Sequence, residues 1–159
     1  MARSNNKRAG IEQPSRIFSR LSQGSEPPPY GVPPLDFEGT LPEWAITWAL
    51  NKLGHKDDYI FQANLLGGRD PSKQGADSGS VADFYLPYLQ LVIRVQGIYF
   101  HYEKGNTVIG LDQIRRLALE AKRFVVIDID EDDALKNPIF YVKEALEFRE
   151  HSKFREGFQ

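Results

Sequence analysis

Two short apolar segments joined by a tight turn constrain the fold of this chain more than any other feature. Val81–Leu86 and Leu91–Gln96 are rich in β-branched and aromatic side chains, and Pro87 and Tyr88 lie between them. Segments of this composition are typical of strands, and a short connection joins antiparallel neighbours. The sequence therefore predicts an antiparallel β-hairpin.

The first strand of this hairpin carries a single carboxylate, Asp83, among apolar neighbours. A carboxylate in such a strand is costly unless something compensates its charge. Because side chains alternate along a strand, the second strand divides into two sets on opposite faces: Leu91, Ile93 and Val95 on one, and Val92, Arg94 and Gln96 on the other. We expect the partner of Asp83 to be either Arg94 or a divalent cation.

The remaining segments predict an α/β fold. Residues Thr40 to Glu43 have the pattern of a capping box with an early proline, and the helix that they begin should end at Gly54. Later segments predict a strand over 59–66, a helix over about 107–122, a strand over 124–129 buried on both faces, and a helix that begins at Asn137-Pro138. The predicted order is α-β-β-β-α-β-α, with about four strands in a mixed sheet flanked by helices.

The first 38 residues differ in composition from the rest. Residues 1–25 contain five basic residues and one acid, and a proline-rich run follows over 27–34. Such a stretch has few apolar side chains to bury, and prolines favour extended structure. We expect a flexible tail over 1–38, a folded domain over 39–150 and a C-terminal tail over 151–159. An anchoring or DNA-contacting role of the N-terminal tail, including binding of a protein partner, stays open.

Composition excludes several classes of protein. The absence of cysteine excludes disulfides, thiolate zinc sites and cysteine nucleophiles. No apolar run approaches the ~18 residues that span a bilayer, and no apolar segment follows the basic N-terminus as in a secretory signal. The net charge of −2 is unlike that of proteins that bind nucleic acid by bulk charge. We expect an intracellular protein that does not enter a membrane.

Several short motifs are similar to those of the PD-(D/E)XK nuclease superfamily. They are Asp83-Phe84, then Val95-Gln96-Gly97, then Tyr99-Phe100-His101, with Asp112 and Arg115 on the next helix and Glu43 as the acid of the first helix. The chain most resembles the branch of very-short-patch repair (Vsr)-like, phage-encoded and homing endonucleases. The resemblance covers about residues 39–149 and implies a restriction-endonuclease-like fold.

The resemblance implies a metal-dependent DNA endonuclease, which hydrolyses or nicks a phosphodiester and is encoded by a phage or mobile element. Asp83, the carbonyl of Val95 and Glu43 would hold Mg²⁺ or Mn²⁺. Glu43 and Gln96 would position water, and His101 would act as general acid and base. The residues expected to contact DNA are Arg69, Lys73, Arg94 and Arg115.

One departure from the family pattern keeps an alternative open. Many relatives have an acid where this chain has Arg94, and a cation there should repel a metal unless it points away or pairs with Asp83. The alternative is a catalytically inactive nuclease fold that serves as a DNA-binding or virion assembly component, so that the location is either the host cytoplasm or the virion. A third reading is a nucleotide-handling enzyme that uses the acids at 128–133. Those acids are also explained by a helix N-terminus.

Overall fold

The computed structural model describes residues 27–65, 81–97 and 105–153, except for the side chains of residue 81 and residues 105–112. The described helices and strands are α1 (Leu41–Lys52), β1 (Ile60–Asn64), β2 (Val81–Leu86), β3 (Leu91–Gln96), α2 (Gly105–Ala121), β4 (Val125–Asp130), α3 (Glu131–Lys136) and α4 (Pro138–Leu146). Among them no helix is both long and apolar enough to cross a membrane. This is an α/β fold in which helices flank a four-stranded sheet.

The four strands form one mixed sheet in the order β1-β2-β3-β4. β1 and β2 are antiparallel, as are β2 and β3, whereas β3 and β4 are parallel. The predicted hairpin is confirmed, and its turn is a 3₁₀ segment over Pro87–Leu89 followed by Gln90 with a φ of 49°. The parallel pair needs a crossover, and α2 supplies it.

The sheet has an apolar core on each face. On one face, Phe84, Ile93 and Ile127 pack against buried residues of α1 and α4. On the other face, Val92 and Val126 pack with Leu119 of α2. Alternate residues of β3 and β4 thus contribute to opposite cores, as strand geometry requires. The prediction that the last strand is buried on both faces is confirmed.

The first helix begins and ends as predicted. Thr40 is its N-cap, and the reciprocal hydrogen bonds of the capping box with Glu43 are both present. Gly54 follows its C-terminus with a φ of +87°, a conformation that favours glycine. At the other end of the chain, Asn137 caps α4 through its side chain. A short additional helix, α3, lies between β4 and this cap.

The predicted start of the folded domain at residue 39 is too late. Tyr30 is only 3% exposed, donates a hydrogen bond to the Leu135 carbonyl at 3.0 Å and accepts one from Trp44 Nε1 at 2.8 Å through its own carbonyl. Phe37 stacks on Phe61 of β1. Within the described part of the predicted tail, 27–38, Tyr30 and Phe37 therefore anchor the chain to α1, α3 and β1. Residues 1–26 and 154–159 lie outside the described part of the chain.

Candidate functional site

Two carboxyl groups meet where the N-terminus of α1 approaches the sheet. Glu43 of α1 and Asp83 of β2 share a side-chain hydrogen bond, although 40 residues separate them in the chain. Asp83 also accepts a hydrogen bond from the backbone N–H of Val95 in β3, at 2.6 Å. The structure therefore brings together three of the residues predicted for the metal site.

An interruption in the strand pairing makes room for this contact. The paired residues of β2 and β3 are Leu86 with Leu91, Tyr85 with Val92, and Phe84 with Ile93, so the pairing ends next to Asp83. In β1, Gln62 lies opposite Asp83, and the residues on either side of Gln62 pair with the residues on either side of Asp83. Gln62 itself has a φ of 53°. The pairing of β2 is thus interrupted at Asp83 towards both of its neighbours. The N–H of Val95 therefore bonds to the Asp83 carboxylate instead of a strand carbonyl.

The surroundings of Asp83 favour its neutral form. Burial raises the pKa of its carboxyl from 3.8 to about 7, the charge and hydrogen bond of Glu43 add to this, and the Val95 N–H and the charge of Arg94 act in the opposite direction. Two carboxylates in contact repel each other unless a proton or a cation lies between them. Removal of that proton near neutral pH would leave an anionic pair suited to a divalent cation.

Glu43 serves the helix cap and the carboxyl pair at the same time. Its Oε2 accepts a hydrogen bond from the backbone N–H of Thr40 at 2.6 Å, and its own N–H donates to Thr40 Oγ1 at 3.4 Å. The sequence left open whether Glu43 caps the helix or contributes to a site. The geometry joins the two roles, because the cap orients the carboxylate that contacts Asp83.

Arg94 binds Asp128 through a bidentate hydrogen bond. Its Nε and Nη2 donate to the two carboxylate oxygens of Asp128 at 2.8 and 3.0 Å, so the expected partnership with Asp83 is replaced by a bidentate bond across β3 and β4. Arg94 lies on the same face of β3 as Val92, and Asp128 lies on the same face of β4 as Val126. Because Val92 and Val126 pack against α2, the Arg94–Asp128 pair is on the α2 face. Asp83 instead contacts Glu43 on the α1 side. The two groups of charges therefore lie on opposite sides of the sheet.

The Arg94–Asp128 pair belongs to a larger buried network. Arg116 of α2 donates to Asp128 Oδ2 and to Glu150 Oε2, both at 2.8 Å, and Glu150 also accepts the Asp128 N–H at 2.9 Å. Although burial opposes ionisation, the hydrogen bonds and charges of Arg94 and Arg116 hold the pKa of Asp128 below its ordinary value. Sequence reasoning missed this network. The available signal was an acid, Asp128, in a strand predicted to be buried on both faces.

Gln96 takes part in the network through its amide. Its Nε2 donates to Asp128 Oδ1 at 3.3 Å, and its side chain is buried. Gln96 shares the face of Arg94, as strand alternation requires. Its role beside Glu43 and Asp83 stays a prediction.

The other residues predicted for the site lie on α2 or outside the described part of the chain. Arg115 is exposed on α2, away from the buried network that its neighbour Arg116 joins. The backbone of Asp112 belongs to α2, but its side chain lies outside the described part of the chain. Three more residues lie outside it altogether: Arg69, Lys73 and His101.

The acids after β4 form a second group of carboxylates. Asp130, Asp132 and Asp133 each offer an oxygen within 4.8 Å of the others, so the group can hold a metal ion. Protein groups already compensate these charges. Asp130 accepts from Ser152 Oγ at 2.7 Å and from the Lys153 N–H at 3.0 Å, and Lys153 Nζ lies 3.0 Å from Asp132. The predicted strand end leading into a helix N-terminus is also observed, with Asp130 as the N-cap of α3.

Comparisons of the chain with models of known protein families, with curated proteins and with solved structures found no match.

Proposed function

We propose that the chain is a metal-dependent DNA endonuclease, which hydrolyses or nicks a phosphodiester, and that Asp83 and Glu43 hold its Mg²⁺ or Mn²⁺. The observation that carries this proposal is the contact between these two carboxyls beside the backbone of Val95. A pair of acids in a partly buried position costs stability, and a divalent cation would compensate both charges at once. The motif order of the sequence supports a nuclease among metal-dependent enzymes.

The donor set suits a hard cation. Mg²⁺ prefers oxygen ligands and is commonly held by one or two carboxylates together with water and substrate phosphate. The N–H and the C=O of a strand residue point towards the same neighbouring strand, so the Val95 carbonyl, like its N–H, faces β2 and Asp83. These three residues would supply the protein ligands. A bound cation would polarise the phosphate and lower the pKa of a water ligand.

The bond between Arg94 and Asp128 weakens the main objection from sequence. A guanidinium beside the carboxyl pair would repel a cation, but Arg94 is bound to Asp128 on the other face of the sheet. Its charge is therefore largely compensated by an acid of its own. The family pattern of an acid at this position is absent, and Glu43 takes the place of the second carboxylate.

The finer fold assignment is part of the same proposal. The described strands run in the order β1-β2-β3-β4, with β4 parallel to β3 and joined to it through α2. This arrangement supports a restriction-endonuclease-like sheet. Encoding by a phage or mobile element, and action on DNA, depend on the resemblance of the motifs.

One observation favours the second candidate, an inactive nuclease fold that binds DNA or assembles with a virion. The sequence of β3, Leu91–Gln96, contains no carboxylate or histidine that could transfer a proton at the carboxyl pair, and the amide of Gln96 cannot take one. An active enzyme would need its proton-transfer group from elsewhere, and His101 is the predicted source. Only the first candidate cleaves DNA, so a cleavage assay separates the two.

The test uses the full chain with supercoiled, mismatched and branched DNA in the presence of Mg²⁺ or Mn²⁺. We expect nicking or cleavage, and we expect Asp83→Asn to lower its rate about 100-fold or more because the variant loses a metal ligand. A 100-fold loss of rate corresponds to ~2.7 kcal/mol of transition-state stabilisation. The matched control is Asp57→Asn, which changes an exposed acid and should leave cleavage unchanged. Binding without cleavage under every metal would establish the inactive candidate. Absence of both binding and cleavage would refute the endonuclease and the DNA-binding form of the second candidate.

A further inference from the structure

Gly39 lies against the carboxylate of Glu43 more closely than any side chain would allow. A Cβ atom at this position would stand 2.6 Å from Glu43 Oε2, 2.6 Å from Phe37 Cε1 and 2.7 Å from Phe37 Cζ. These separations are shorter than ordinary van der Waals contacts of 3.5–4.0 Å between carbon atoms. Any other residue at position 39 must therefore displace Glu43, Phe37 or both.

Neither neighbour is free to move aside. The Oε2 atom that a Cβ would meet is the atom held by the Thr40 N–H at 2.6 Å, and Glu43 also contacts Asp83. The Phe37 ring stacks on Phe61 with centroids 5.4 Å apart and meets Trp44 edge-on at 5.2 Å. Displacement of the Glu43 carboxylate would break its cap and its contact with Asp83 together.

We propose that Gly39 is a positioning residue for the candidate site, because only a residue without Cβ leaves the Glu43 carboxylate in contact with both Thr40 and Asp83. The consequence for metal binding rests on the function proposed above, whereas the consequence for the carboxyl pair does not. Gly39 touches no reacting atom and acts through Glu43 alone.

The reason for glycine at this position differs from that at two other described glycines. Gly31 and Gly54 have φ values of +61° and +87°, and a Cβ on either would meet no atom within 4 Å. Those positions need glycine for backbone conformation. The φ of Gly39 lies outside the left-handed range, so its requirement is space. Gly54→Ala is therefore a matched control that disturbs the backbone without touching Glu43.

The experiment compares full-length wild type, Gly39→Ala and Gly54→Ala by crystallography without metal and by Mn²⁺ titration followed by electron paramagnetic resonance. In Gly39→Ala we expect the Glu43 carboxylate to leave Thr40 and Asp83, and Mn²⁺ affinity to fall about 10- to 100-fold, the usual effect of losing a group that orients a ligand. Gly54→Ala should keep both the carboxyl pair and the wild-type affinity.

The outcomes separate this inference from the proposed function. If Gly39→Ala keeps the Glu43–Asp83 contact, the positioning role is refuted whatever the metal does. If the contact is lost but wild type binds no Mn²⁺, the positioning role stands and the metal site does not. Should Gly39→Ala fail to fold, the same measurements on Gly39→Ala with Phe37→Ala decide, since the second change removes the clash with the ring and keeps the clash with Glu43.

Discussion

The carboxyl pair makes a quantitative prediction for the stability of the metal-free protein. The carboxyl of Asp83 has a pKa of 3.8 in an open chain and about 7 in the folded chain, chiefly through burial. Between these values the folded state binds more protons than the unfolded state. The contribution of Asp83 to stability must therefore fall as pH rises from about 4 to about 7 and level off above that range.

The size of the effect follows from the shift. One pKa unit corresponds to ~1.4 kcal/mol, so a shift of this extent contributes at most about 4 kcal/mol. Domains of this kind are stable by ~5–15 kcal/mol, which makes the change large enough to measure. Asp83→Asn keeps the shape of the side chain and an oxygen for the Val95 N–H, but it has no proton to lose. The difference in stability between wild type and Asp83→Asn should thus shift by up to about 4 kcal/mol across the range.

The assay is urea unfolding of both proteins at several pH values between 4.5 and 8, in the presence of a chelator. Taking the difference cancels the contributions of other groups, including Asp128, whose lowered pKa acts only below this range. Glu43→Gln is the matched variant. Its amide can donate to Asp83 and carries no charge, so the slope should shrink while the part due to burial persists. A difference between wild type and Asp83→Asn that stays constant with pH would refute the account of the pair given above.

Two further predictions concern the parts of the structure around this site. Asp128→Ala should cost about 3–5 kcal/mol in urea unfolding because it leaves the buried Arg94 and the partly buried Arg116 without their shared acid. Glu147→Ala, which removes a surface ion pair with Arg149, should cost no more than about 1 kcal/mol. Tyr30→Ala should cost about 3–5 kcal/mol, as for other buried aromatic residues, whereas Leu35→Ala, at a fully exposed position, should change stability by no more than about 0.5 kcal/mol. Equal effects within either pair would contradict the packing described for that region.

The elements that could be predicted from sequence are those specified by local chemistry. The capping box at Thr40 and Glu43 satisfies helix N–H groups within four residues, so its pattern is visible without tertiary information. The hairpin turn after Leu86 has the same local character. The packing of Tyr30 does not, because a single aromatic side chain among prolines is bound by the Leu135 carbonyl, 105 residues away. Composition describes such a segment as a tail, and only the folded partner reveals the contact.

The candidate site illustrates how far strand alternation can be carried. Alternation correctly placed Arg94 and Gln96 on the same face of β3. If Arg94 points away from a metal site, Gln96 must point away from it as well, so a site that contained Gln96 without Arg94 was already excluded. It could not assign Asp83, because the pairing of β2 is interrupted at that residue and its partner Glu43 comes from a distant helix. Gln96 donates a hydrogen bond to Asp128, and its amide cannot take a proton. Any proton transfer at the carboxyl pair therefore depends on a residue outside β3. His101, outside the described part of the chain, is the residue that the motifs predict for that role.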